Sequence, residues 1–176
     1  MKTLLLGMGN PILCDDAVGV RLAAGFKDSL AGTPGLDIIE ERSVGGLNLL
    51  DLVAGYDRVI VLDAIQTSGG IPGAWYRFTA GALHETLHLT NVHDANFATA
   101  LELGRRLGLP LPRAQDIHIF AVETREVRTF SERMTPELEK AYPHYASAIL
   151  GQIELLLHIE PAPGSMIGQA LVDTGA

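Results

Sequence analysis

The chain has 176 residues, a length that fits one domain, and its 47% hydrophobic and 19% charged residues describe a globular protein with material for a core. A formal net charge of −8, with only 13 Lys and Arg spread along the sequence, argues against nucleic acid or an anionic membrane as partner, because phosphate surfaces need clustered cations. The single cysteine, Cys14, leaves no internal disulfide and no CxxC metal site, which fits a reducing cytoplasm.

Leu4–Met8 is a short apolar run closed by Gly9, Asn10 and Pro11, the pattern of a buried central strand. This run is too short for a signal-peptide core, and no stretch approaches the roughly 20 apolar residues of a membrane span, so a soluble protein is expected. Val18, Leu22, Phe26 and Leu30 then recur every four residues, which predicts a helix from about Asp16 to Leu30, stopped by Gly32, Pro34 and Gly35. Leu36–Arg42 reads as a second strand, and a short helix through Leu47, Leu50 and Val53 closes at Gly55. Arg58–Leu62 is a β-branched-rich run typical of a strand covered on both faces, and Asp63 is expected to end it. Trp75–Thr79 is a further strand after Gly-rich turns, His93–Leu107 a helix ended by Gly108, and Ile117–Val122 the last strand. Thr135-Pro136 opens a helix that is expected to reach about His158, bent near Pro143.

Strands alternating with helices predict an α/β fold, a three-layer α/β/α domain with a mostly parallel twisted sheet and one antiparallel edge strand. The domain is expected to span 1–160, and the Pro- and Gly-rich segment 161–176 to be a flexible tail.

The loop Gly7-Met8-Gly9-Asn10-Pro11 followed by Asp15-Asp16 invites comparison with a dinucleotide-binding turn. Ile12 stands where the third glycine of GxGxxG belongs, and two carboxylates lie where a phosphate would bind; no Walker motif is present. One of the two acids is expected to cap the helix, leaving the other for a cation or substrate. Asp63, at the carboxyl end of the most hydrophobic strand, lies where open α/β sheets build their sites, although a turn role is the plainer reading. His93 precedes a helix, where a lone histidine is more often structural. His84 and His88 have i, i+4 spacing without an HExxH pattern, and His118, His144 and His158 sit on predicted regular elements. Cys14 stands beside two acids that raise its thiol pKa, and no GxSxG elbow offers a serine nucleophile. Taken together, Asp16, Asp63 and His93 can converge on one edge of a doubly wound sheet. Two carboxylates and an imidazole suit Ni²⁺, Zn²⁺ or a similar ion, with positions left open for substrate.

The run Leu6-Gly7-Met8-Gly9-Asn10-Pro11 with Asp15-Asp16-Ala17-Val18-Gly19-Val20 closely resembles the N-terminal signature of the [NiFe] hydrogenase maturation endopeptidases. Gly46 with Leu49-Leu50, Val61-Leu62-Asp63-Ala64, His93 and Met134-Thr135-Pro136 are similar to the later motifs of that family, in order, so that the resemblance covers roughly residues 2–157. The stretch Asp94-Ala95-Asn96-Phe97 departs from the small apolar sequence common there. The resemblance implies a peptidase that removes a C-terminal peptide from the nickel-loaded precursor of a hydrogenase large subunit. It implies that Asp16, Asp63 and His93 recognise nickel supplied by that precursor, with no tightly bound cofactor of the enzyme's own. Gly9, Asn10 and Asp15 are expected as supporting residues, and the protein is expected to be a cytoplasmic monomer. Alternatives are a nucleotide-binding Rossmann-like protein and a non-catalytic nickel-binding chaperone.

Overall fold

A computed structural model describes residues 1–42, 48–82 and 92–157, without the side chains of 41–42 and 92–98. Five strands form one sheet: β1 (Thr3–Met8), β2 (Leu36–Arg42), β3 (Arg58–Ile65), β4 (Trp75–Thr79) and β5 (Ile117–Glu123), in the order β2-β1-β3-β5-β4. β1 pairs in parallel with β2 and β3, and β3 with β5, while β4 runs antiparallel along the outer edge of β5. The expected three-layer α/β architecture with an antiparallel edge strand is therefore the observed one.

Alternation along the strands sorts the core into two. Leu5, Ile60, Leu62, Phe120 and Val122 face α1 (Val18–Phe26) and α4 (Pro136–Leu157), meeting Leu22, Phe26, Leu138 and Ile149. Leu4, Leu6, Val59, Val61, Ile117 and Ile119 face the other way, against Leu49, Leu50 and Val53 of α2 (Asn48–Val53) and Leu101 of α3 (Val92–Arg106). Burial on both faces explains why β1 and β3 read as unbroken apolar runs.

Two boundaries differ from expectation. The helix after β1 is shorter than predicted: a 3-10 turn, Cys14–Ala17, precedes α1, which ends at Phe26. Beyond it the chain unwinds into turns, with Lys27 N–H bonding Ala24 O and Ala31 N–H bonding Asp28 O, yet Leu30 stays buried. Nor does Asp63 end its strand, because β3 continues through Ile65 in register with β5 up to Glu123. Continued pairing with β5, past the point where β1 ends, outweighs the poor strand preference of one aspartate. Pro143 lies inside α4, which runs unbroken to Leu157. Gly46, Leu47, His84, His88, His158 and the segment 161–176 lie outside the described residues.

The order β2-β1-β3 places a switch point between β1 and β3: the first crossover, through α1, covers one face, and the second, through α2, covers the other. The carboxyl ends of β1 and β3 thus mark the place where open α/β sheets bind ligands. No helix among the described residues is long and apolar enough to cross a membrane.

Candidate active site

The loop after β1 closes on itself around Asp16. Gly9 has φ +123°, and a Cβ there would lie 1.9 Å from the Asp16 carbonyl oxygen, so only glycine fits. The Asn10 N–H donates to Asp16 Oδ2 at 2.7 Å, Asn10 Oδ1 accepts from Ile12 N–H at 3.2 Å, and the Asn10 carbonyl accepts from Leu13 N–H at 3.0 Å. Gly9 and Asn10 are therefore the residues that orient the half-buried Asp16. Neither acid of the pair caps α1, whose N-cap position is Ala17 with no side-chain bond, which corrects the capping expectation.

Asp15 instead ties distant segments together. It is fully buried; its Oδ1 accepts from Thr135 N–H at 2.7 Å, and its Oδ2 from the Thr135 hydroxyl and the N–H groups of Arg125 and Glu126 at 3.1, 3.2 and 3.1 Å. Its own N–H donates to Glu126 O at 2.9 Å. A buried carboxylate is tolerable only with such a set of donors. Asp15 thus joins the β1 loop to the segment after β5 and to the start of α4.

The second carboxylate reaches the same edge through Gly19. A Cβ on Gly19 would stand 2.2 Å from Leu62 O and 2.4 Å from Met8 O, so α1 rests directly on the ends of β1 and β3. That contact brings the turn holding Asp16 beside the residue after Leu62, which is Asp63. Asp63 is 6% exposed, and its Oδ1 accepts from Ala64 N–H at 2.8 Å. By alternation with Val59, Val61 and Ile65 it belongs to the face that α2 and α3 cover. α3 runs against the strands: the Pro110 carbonyl beyond its end accepts from Gly55 N–H, just ahead of β3, so its first turn points toward the carboxyl edge. His93 is in that first turn. Among the described residues no three His, Cys, Asp or Glu groups gather as a metal site, and the His93 side chain is not among those described.

A third buried acid at this edge went unread in the sequence. Glu123 ends β5 at 1% exposure and accepts from Thr67 N–H at 2.7 Å and the Thr67 hydroxyl at 2.8 Å. It fastens the segment after β3 to the end of β5. The signal that marked Asp63, an acid closing a buried apolar run, was equally present here.

The remaining titratable groups fit poorly as reactants. Burial first, and the neighbouring Asp15 second, push the Cys14 thiol up, so the thiol holds its proton. Burial pushes the Tyr145 phenol far up, and its hydroxyl finds no partner among the described residues. His118 lies near the amino end of β5, remote from the acids, and burial followed by Arg77 and Arg58 lowers its pKa.

Known proteins share this fold. The hydrogenase 2 maturation protease of Escherichia coli (strain K12) is 33% identical over 73 residues, which span 42% of this chain and 44% of that relative, less than half of its length. The solved structure of the hydrogenase-maturating endopeptidase HybD from E. coli superposes with a TM-score of 0.71 at 23% identity, covering 90% of this chain and 93% of that one. The [NiFe] hydrogenase maturation protease HybD from Thermococcus kodakarensis gives 0.65 at 19% identity, over 87% and 99% of the two chains. These likenesses establish the fold. A family description, hydrogenase maturation protease, matches residues 21–152, three quarters of the sequence, and the chain accordingly belongs to the hydrogenase maturation protease family.

Proposed function

We propose that this chain is an endopeptidase that removes a C-terminal peptide from the nickel-loaded precursor of a [NiFe] hydrogenase large subunit, with Asp16, Asp63 and His93 completing the coordination of the precursor's nickel. The observation that carries this reading is the meeting of the Asp16 turn with the end of β3 at the switch point of the sheet, through the Gly19 contact. In this reading His93, whose backbone lies in the first turn of α3, is the third ligand.

Two carboxylates and one imidazole suit a borderline divalent ion and leave positions for ligands from the substrate. In this reading nickel is cargo of the substrate, and the enzyme holds none at rest. Seated among these groups, the ion polarises the scissile carbonyl or its attacking water. Water adds to the carbonyl carbon, the C–N bond breaks, and the departing amine takes the proton. A dinucleotide reading is less favoured, because the Asn10 N–H that a phosphate would use is taken by the Asp16 carboxylate.

The test follows C-terminal processing of nickel-loaded and nickel-free precursor by the wild type, Asp16→Ala, Asp63→Asn and His93→Ala. Only loaded precursor is expected to be cut, and each substitution is expected to slow cutting at least about tenfold. Equal cleavage of nickel-free precursor sinks nickel recognition, and full activity in all three variants sinks the residue assignment. Tight nickel binding by the isolated protein without any processing points to a chaperone.

A further inference from the structure

Between β5 and α4 the chain makes a strap, residues 124–135, whose two ends are held by the one carboxylate of Asp15 through the N–H groups of Arg125, Glu126 and Thr135. Within it, Glu126 Oε1 accepts from the N–H groups of Arg128 and Thr129 at 2.8 and 3.0 Å. Ser131 Oγ both donates to Arg133 O and accepts from Arg133 N–H, at 2.7 and 3.0 Å. The strap also pairs with the β1 loop: Leu13 bridges Phe130 in antiparallel fashion, and Ser131 N–H donates to Ile12 O at 3.0 Å. A segment bonded this way has a fixed shape.

That shape presents apolar surface to water. Phe130 at the apex is 77% exposed and Ile12 is 51% exposed, with Leu13 half-buried opposite Phe130. An aromatic held outward by a rigid support is the kind of side chain that anchors interfaces. The strap carries three arginines against two glutamates, a small positive excess on a chain whose net charge is −8. Arg125, Arg128 and Arg133 are exposed on the strap together with Glu132, while the Glu126 carboxylate is engaged by two backbone N–H groups.

We propose that the strap, with Phe130 as anchor, Ile12 and Leu13 beside it and Arg125, Arg128 and Arg133 around it, is the surface on which the precursor protein docks through an apolar patch ringed by carboxylates. The inference rests on the proposed activity. The occupant follows from continuity, since the loop that carries Ile12 and Leu13 also carries Asp16, so whatever covers the strap also covers the candidate nickel site. Charge adds to this, because a strap with a positive excess on an acidic protein favours a partner surface that brings carboxylates.

The experiment titrates nickel-loaded precursor into the full chain by calorimetry and measures processing kinetics in parallel, for wild type, Phe130→Ala, Phe130→Leu, Arg128→Glu and the control Leu107→Ala. Leu107 is 67% exposed beyond the end of α3, near the opposite edge of the sheet. Phe130→Ala is expected to raise Kd and KM about tenfold, with Phe130→Leu partly restoring both. Arg128→Glu is expected to raise Kd about fivefold and to flatten its dependence on salt. Leu107→Ala should match wild type, and urea midpoints should agree across the set. Values for Phe130→Ala and Arg128→Glu within about twofold of wild type overturn the docking surface. A wild type that binds without cutting overturns the proposed activity while Kd still decides the strap; a wild type that does not bind overturns both.

Discussion

At the carboxyl edge of the sheet, Asp15, Asp63 and Glu123 are 0%, 6% and 1% exposed, and they are the only buried carboxylates among the described residues. At the amino edge, Asp57, Arg113 and Asp116 stand in or near solvent around an open groove shared with Met1, Tyr56, Leu111 and Pro112. The charges of the groove are paired on the surface, as in the Arg113–Asp116 bridge at 2.6 Å. Burying a carboxylate costs several kcal/mol unless donors surround it. The fold does so three times at one edge, which is the edge where the proposed site lies.

Substitutions at the two edges should separate accordingly. Asp15→Ala strands the backbone donors of Arg125, Glu126 and Thr135, and it is expected to destabilise by about 3–5 kcal/mol in urea unfolding. A loss under about 1 kcal/mol would reduce Asp15 to the level of a surface acid. Gly19→Ala forces a Cβ to 2.2 Å from Leu62 O, so a cost of about 3 kcal/mol is expected together with lost processing, as the Asp16 turn shifts from Asp63. Glu123→Gln weakens the clasp on Thr67, for about 1.5–3 kcal/mol, seen as faster amide exchange at Thr67. At the amino edge, Arg113→Ala should leave the urea midpoint where it is, because a surface pair gains little.

Another small effect concerns pH. The Arg21 guanidinium, bonded to Glu139 across α1 and α4, holds that carboxyl below its usual range. A depressed folded pKa means stabilisation that is complete above the unfolded value near 4.5 and fades as pH falls through the folded one. Both side chains are over a third exposed, so the contribution is under about 1 kcal/mol, and Glu139→Gln should remove it only above that acid range.

Much of this is legible in the sequence. The apolar runs of β1 and β3, the Trp75–Thr79 edge strand and the Thr135-Pro136 helix start follow from local pattern, because strands covered on both faces must be apolar throughout and proline suits a first helical turn. The motif from Gly7 to Val20 likewise marked the Asp16 loop, since close backbone approaches at Gly9 and Gly19 admit no other residue. What the sequence could not show was which acid of the adjacent pair does what. Local preference suggests that one caps α1, whereas neither does: Asp15 turns inward to donors more than a hundred residues away, and Asp16 turns to the N–H of Asn10. Tertiary structure alone decided this, as it decided that Asp63 continues its strand and that Glu123 is buried beside Thr67. A buried carboxylate goes where its donors are, and those donors come from segments that only the folded chain brings together.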